Sequence, residues 1–153
     1  MEIRRRIILR HGLATVGLVV ASGLSPPARA EDAAGWNPAL FKATSLEAIA
    51  ALLGLELRHS ADVLVDSPDI AAIGAAVPVA LRSTAKGVDL LGIAVPKNPI
   101  ALVGLFHLEP GALPRVATRI KMAQSSQVYA LARTGRTLLF NAKAVKVTVG
   151  GCG

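Results

Sequence analysis

A single cysteine among 153 residues means that no disulfide can close within the chain. Aromatic residues are also scarce (three phenylalanines, one tryptophan and one tyrosine), so the core must be built from valine, leucine, isoleucine and alanine. So few rings remove the stacking platforms that hold single-stranded nucleic acid, and the basic residues are scattered rather than clustered. Both features argue against nucleic-acid binding. Beyond residue 30 the only histidines are His59 and His107, too far apart for metal-ligand spacing, so both read as surface or partly packed side chains and no metal site is expected. There is no G-x-S-x-G elbow, phosphate loop or H-E-x-x-H helix. Neither catalytic residues nor a cofactor are therefore indicated.

The formal net charge of +7 owes much to the first thirty residues, where five arginines face one glutamate. Residues 31–153 hold 12 basic and nine acidic side chains, a net of +3 that exerts only a mild pull on anions. Residues 1–30 read as a cleaved secretory signal: a basic start, an apolar middle from Gly12 to Leu24, a break at Ser25-Pro26-Pro27 and an Ala28-Arg29-Ala30 exit. Arg5-Arg6-Ile7-Ile8-Leu9-Arg10 fits the twin-arginine export pattern. The apolar middle falls short of the roughly 20 residues a membrane span needs, so stable insertion is not expected, an uncleaved N-terminal anchor being the competing reading. The mature chain is expected to start at Glu31 in the periplasm. Exported domains that use cysteine for stability pair it. An unpaired thiol there implies an intermolecular bond or a reactive group.

Along the mature chain, apolar residues recur at three- and four-residue steps over 40–53, predicting helical character whose main segment Thr44 or Ser45 caps and Gly54 ends. Short apolar runs follow, predicting strands at 61–66, 77–83, 88–95, 102–108, 116–122, 127–133 and 137–149, the last broken near Asn141. Turn-forming clusters separate them, and the gaps are too short for crossover helices. The expected fold is all-β, an antiparallel sandwich with a short N-terminal helix. In the last strand Val145, Val147 and Val149 share one face and Ala144, Lys146 and Thr148 the other, predicting one buried and one wet side.

The chain then reads Gly150-Gly151-Cys152-Gly153. Glycine runs behave as flexible tethers, and at about 3.5 Å per residue Cys152 reaches roughly 10 Å past the strand. The flanking glycines give the thiol minimal steric cover, as a group entering another protein's pocket requires. A nucleophile working in its own site needs fixed partners, and the sequence places no base beside Cys152. Position alone divides the options between a carrier thiol and a tail-to-tail disulfide that dimerises a structural or binding module.

The export signal, the β-rich domain and the Gly-Gly-Cys-Gly tail together resemble the SoxY family, the sulfur-carrying subunits of the periplasmic thiosulfate-oxidising system. The likeness covers most of residues 40–153. It is carried by Thr118-Arg119-Ile120-Lys121-Met122-Ala123-Gln124-Ser125-Ser126 and by Val145-Lys146-Val147-Thr148-Val149-Gly150-Gly151-Cys152-Gly153, with Val77-Pro78-Val79 and Lys97-Asn98-Pro99 in support. The resemblance implies an immunoglobulin-like sandwich over residues 31–149 and a swinging tail over 150–153, in which Gly150, Gly151 and Gly153 give Cys152 its freedom. It implies a SoxZ-like β subunit as stable partner. It also implies transient visits by a haem-containing enzyme that joins thiosulfate to Cys152, a hydrolase that releases sulfate and a dehydrogenase that oxidises the remaining sulfur. The chain itself is then a carrier and not an enzyme. It departs from the family pattern in two places. Members usually end with one more glycine, so the Gly153 carboxylate is expected nearer the sulfur, where it repels an anionic adduct. Ala72-Ile73 stands where a Glu-Asn pair is common, which bears on a polar contact to the partner.

Overall fold

The computed structural model describes residues 37–149. The signal expected at 1–30 and the tail expected at 150–153 lie outside the described residues.

The helical region expected at 40–53 forms as a short turn and a main segment. A short 3-10 turn, Pro38–Lys42, starts under an Asn37 cap whose side chain accepts the Ala39 amide at 3.0 Å. The chain then returns to extended conformation at Ala43 and Ser45, and α1 (Leu46–Leu53) begins afresh. Ser45 is the cap that acts: its hydroxyl accepts the Ala48 amide at 3.2 Å, satisfying one of the donors a helix start leaves open. Gly54 ends the helix at φ 67°, a left-handed conformation favourable only for glycine.

Nine strands follow: β1 (Glu56–His59), β2 (Val63–Asp66), β3 (Ile70–Ile73), β4 (Val77–Ser83), β5 (Val88–Ala94), β6 (Leu102–His107), β7 (Arg115–Ile120), β8 (Ser126–Thr134) and β9 (Thr137–Val149). They form two sheets, one ordered β1-β9-β8-β5-β6 with β3 also on β9, the other β2-β4-β7. The expected all-β sandwich is what forms. From β4 onward every pairing between those later strands is antiparallel. Two short strands were not expected, and both pair parallel with β9. The stretch from β1 to β3 runs in one direction and changes sheet twice, lying on β9, then on β4, then on β9 again. The edge of β9 away from β8 is thereby covered in two pieces. The break expected near Asn141 is absent; instead the Asn141 side chain donates to the Val63 carbonyl at 2.8 Å and ties β2 to β9.

The core between the sheets is aliphatic, as the shortage of rings demands. Val77, Val79 and Leu81 of β4 meet Leu91, Ile93, Val128 and Leu139 of the larger sheet. A second cluster forms on that sheet's other face, where Leu40, Leu46, Ile49 and Ala50 pack over Ala94, Leu102, Leu131 and Leu138. The larger sheet is therefore covered on both sides. This accounts for the unbroken buried run from Leu90 to Val95, which would alternate with polar residues if one face were wet.

Candidate functional site

The expected carrier residue Cys152 and its glycines Gly150, Gly151 and Gly153 lie outside the described residues, so the site is built from what leads to them. β8 covers β9 only as far as Val145, opposite Ser126. The last four residues of β9 lose that partner, and other groups replace it. β3 pairs Ile70 with Lys146, Ala71 with Val147 and Ile73 with Val149. The Thr148 hydroxyl donates to the Ala72 carbonyl at 3.0 Å, and the Lys146 amide donates to the Asp69 carbonyl at 2.9 Å. On the β8 side, the Ser125 hydroxyl accepts the Val147 amide at 2.9 Å. Lys143 secures the approach to β3 by donating to the Ser67 carbonyl and pairing with Asp69 at 3.0 Å. The strand is held almost to its final residue.

Burial along the apolar face of β9 declines toward that end. Val145 is buried, Val147 half-buried and Val149 61% exposed. The wholly buried face expected from strict alternation does not extend to Val149, because the core ends before the strand does. Ile70 and Ile73 of β3 are exposed beside it. The Ala72-Ile73 departure thus falls on the strand that grips the base of the tail.

Segments distant in sequence converge on this end. The 96–101 loop joins β5 to β6 and the 121–125 loop joins β7 to β8. Asn98 clamps them together: its Nδ2 donates to the Lys121 carbonyl at 2.7 Å and its Oδ1 accepts the Ala123 amide at 2.9 Å. Gln124 adds a longer bond to the Lys97 carbonyl, 3.4 Å. The Met122 amide donates to the Gly74 carbonyl at 2.7 Å, tying the same loop to the short turn Gly74–Ala76 that follows β3. The blocks that carry the sequence resemblance are therefore neighbours around the end of β9. The blocks are visible in the sequence, but their convergence on one point is not.

Other candidate chemistry is sparse. His59 is exposed and sets its ring edge-on against Phe140 at 5.5 Å, while His107 is exposed at the end of β6. Among the described residues no three metal-binding side chains gather, and no helix is long and apolar enough to cross a membrane. A groove of about 550 Å³ runs over the β2-β4-β7 sheet, with Arg82 directly opposite Arg115. Its lining is apolar apart from Asp66, Arg82 and Arg115. Glu47 shows a shifted acidity: its own backbone N–H and the Ser45 hydroxyl hold its carboxyl below the ordinary value, which fits a helix cap.

A family model described as "Sulfur oxidation protein SoxY" matches residues 49–152, a span that includes Cys152. The chain belongs to the SoxY family. The solved structure of the sulfur carrier protein SoxY from Chlorobium limicola f thiosulfatophilum is similar at 32% identity and a TM-score of 0.61, over 67% of this chain and 94% of that one. A chain from a structure on T cell specificity and activation by the superantigen toxic shock syndrome toxin-1 is similar at 17% identity over 56% of this chain and 98% of that one. Its TM-score is 0.39, too low to bear on function. No curated protein matches. For this SoxY-family chain the sandwich and its family are thus established together, and the matched span runs beyond β9 into the tail.

Proposed function

We propose that this SoxY-family chain is a periplasmic sulfur carrier whose Cys152 thiol covalently holds the intermediates of thiosulfate oxidation and presents them to visiting enzymes. The observation that carries the reading is the firm anchoring of β9 up to Val149, three residues before a cysteine flanked by glycines. A rigid mount followed by a flexible link suits a group that must enter several active sites while its carrier stays folded.

In the loading step, the Cys152 sulfur forms a bond to the outer sulfur of thiosulfate, the thiol proton leaves, and two electrons pass to a haem-containing partner. Water then cleaves the terminal sulfur–sulfur bond, which releases sulfate and leaves a persulfide on Cys152. A dehydrogenase partner oxidises that persulfide sulfur with oxygen atoms from water, and a second hydrolysis frees it as sulfate. The carrier contributes the attachment atom, and the partners supply acid, base and electron acceptor. A SoxZ-like subunit is the stable companion in this reading, and residues 1–30 direct export by the twin-arginine route.

Intact-mass measurement of the protein from periplasm of thiosulfate-grown cells tests the proposal. Sulfur adducts that disappear in Cys152→Ser are the expected result. Unmodified thiol throughout active oxidation overturns it. Loss of a disulfide dimer in that variant, with oxidation continuing, favours the structural role of the tail instead.

A further inference from the structure

We infer that Lys97, Arg119 and Lys121 form a cationic collar where the tail leaves the sandwich, and that this collar draws anionic sulfur species toward Cys152. The inference rests on reading Cys152 as the carrier thiol. Three connections meet at this end, the turn Gly74–Ala76 and the loops 96–101 and 121–125; their only charged side chains are Lys97 and Lys121. Arg119 on β7 stands two residues before Lys121 and opposite Pro78 of β4. All three residues are exposed, and none is paired with a carboxylate among the described residues.

Among the described residues the carboxylates lie elsewhere, the expected Gly153 carboxylate being outside them. Glu56, Asp62, Asp89 and Glu109 lie toward the opposite end, where Asp62 takes the Thr84 hydroxyl and Asp89 holds Arg133 at 2.7 Å. Glu47 is on α1, and Asp66 pairs across from Ala80 in the middle of β4. The remaining carboxylate, Asp69, is engaged by Lys143 at 3.0 Å. Residues 37–149 carry 12 basic and seven acidic side chains, yet this end has no carboxylate on its connecting loops.

A short path of contacts sets the distance. Val149 pairs with Ile73, the next residue Gly74 accepts the Met122 amide, and Lys121 precedes Met122. At ordinary strand and residue spacings this puts the Lys121 backbone within about 18 Å of the strand end. Cys152 follows Val149 by three residues, a span of at most about 10 Å for any chain. Lys97 and Lys121 enter the loop clamp only through their backbone carbonyls, so their positions are fixed while their ammonium groups stay in solvent. Thiosulfate is a dianion and its thiol adduct a sulfonate, so cations at this range favour approach and loading, while a neutral reagent gains nothing. The attraction weakens with salt, since the screening length falls from about 30 Å at 0.01 M to about 10 Å at 0.1 M.

The test compares alkylation of Cys152 in the full chain by anionic iodoacetate and by neutral iodoacetamide. The thiolate attacks both reagents and displaces iodide from each, so the ratio of their rates cancels the thiolate fraction and reports local potential. In K97E/K121E the iodoacetate-to-iodoacetamide ratio should fall about five-fold at low ionic strength, with K97Q/K121Q between that and the wild type. Salt should bring the three proteins together. An unchanged ratio in both double variants, with native circular dichroism and melting, overturns the collar. If adducts form in cells but the ratio is insensitive, the collar alone fails; if the ratio responds but no adduct ever forms, the collar stands and the carrier reading fails.

Discussion

The Ser125 hydroxyl meets both backbone polar groups of Val147, accepting the amide at 2.9 Å and donating to the carbonyl at 3.4 Å. One side chain thus replaces the strand partner that β8 ceases to provide beyond Ser126. Without it the final residues of β9 would be held on the β3 side only, and the mount of the tail would fray.

Ser125→Ala should therefore loosen the end of β9 without unfolding the domain. Bonds of this kind contribute about 1 kcal/mol each, and these are solvent-accessible. Hydrogen exchange at the Val147 amide should speed up roughly five-fold, while exchange in the β5 and β8 core stays unchanged. Equal acceleration everywhere would mean that Ser125 contributes to global stability and not to the strand end.

Asn98→Ala should have a larger effect, because it removes both bonds that join the 96–101 and 121–125 loops. The Ala123 amide is partly buried, so leaving it without an acceptor adds a desolvation cost. The expected loss is about 1–3 kcal/mol in denaturant unfolding. Asn98→Asp keeps the acceptor but loses the donor, and it should recover part of that loss. If Asn98→Ala unfolds at the wild-type midpoint, the clamp does not hold the loops together.

The strands from Val77 onward were legible because turn residues punctuate them and apolar residues fill them. β4 matches its expected bounds, and β9 its expected ends. β1 was not legible: Glu56-Leu57-Arg58-His59 offers one apolar side chain and lies exposed at a sheet edge, so no pattern marks it. β3 was missed for a different reason. Its partner β9 lies 76 residues along the chain, and a parallel pairing over that distance leaves no local signal. The helix divided at Ala43 because the Ser45 cap competes with continuation, a choice that apolar periodicity cannot reveal. The collar shows the same limit from the functional side. Lys97 and Lys121 fall in separate blocks of the sequence, and the Asn98 clamp brings those blocks together.

Glu47 should make a small part of the stability dependent on pH. Its folded acidity is shifted so that the carboxyl ionises below the ordinary value of 4.5, through its own backbone N–H and then the Ser45 hydroxyl. The unfolded chain thus binds the proton more readily than the folded chain. The contribution is complete above that ordinary value and disappears as pH falls through the folded value. The melting-temperature difference between wild type and Glu47→Gln should be present at pH 6 and shrink as pH falls below the ordinary carboxylate value. Because the side chain is exposed, the effect should be small and should shrink further in salt. A difference that persists unchanged at pH 3 would show that charge is not its source.

Gly92→Ala tests the packing beneath the helix. Gly92 lies between Leu105 of β6 and Leu131 of β8 in the sheet register. Its φ is not positive, so alanine meets no backbone strain and the conflict is steric. An added Cβ would come within 2.9 Å of Leu105 Cδ2 and 3.3 Å of Leu131 Cβ. Leu105 is half-buried and its methyl ends a flexible side chain, so it can turn aside. Leu131 is almost fully buried and its Cβ is fixed to the backbone, so it cannot. The expected cost is about 1–3 kcal/mol, which lowers the melting temperature by several degrees. Adding Leu105→Ala removes the tighter of the two clashes, so the double variant should lose less than the sum of the single losses. Adding Leu131→Ala should not help, because alanine retains the obstructing Cβ and opens a cavity besides. Purely additive losses at positions 92 and 105 would mean that the sheet relaxes around the new methyl. Adduct formation at Cys152 should be unchanged in every folded member of the series, since Gly92 lies under the helical layer and not at the end of β9.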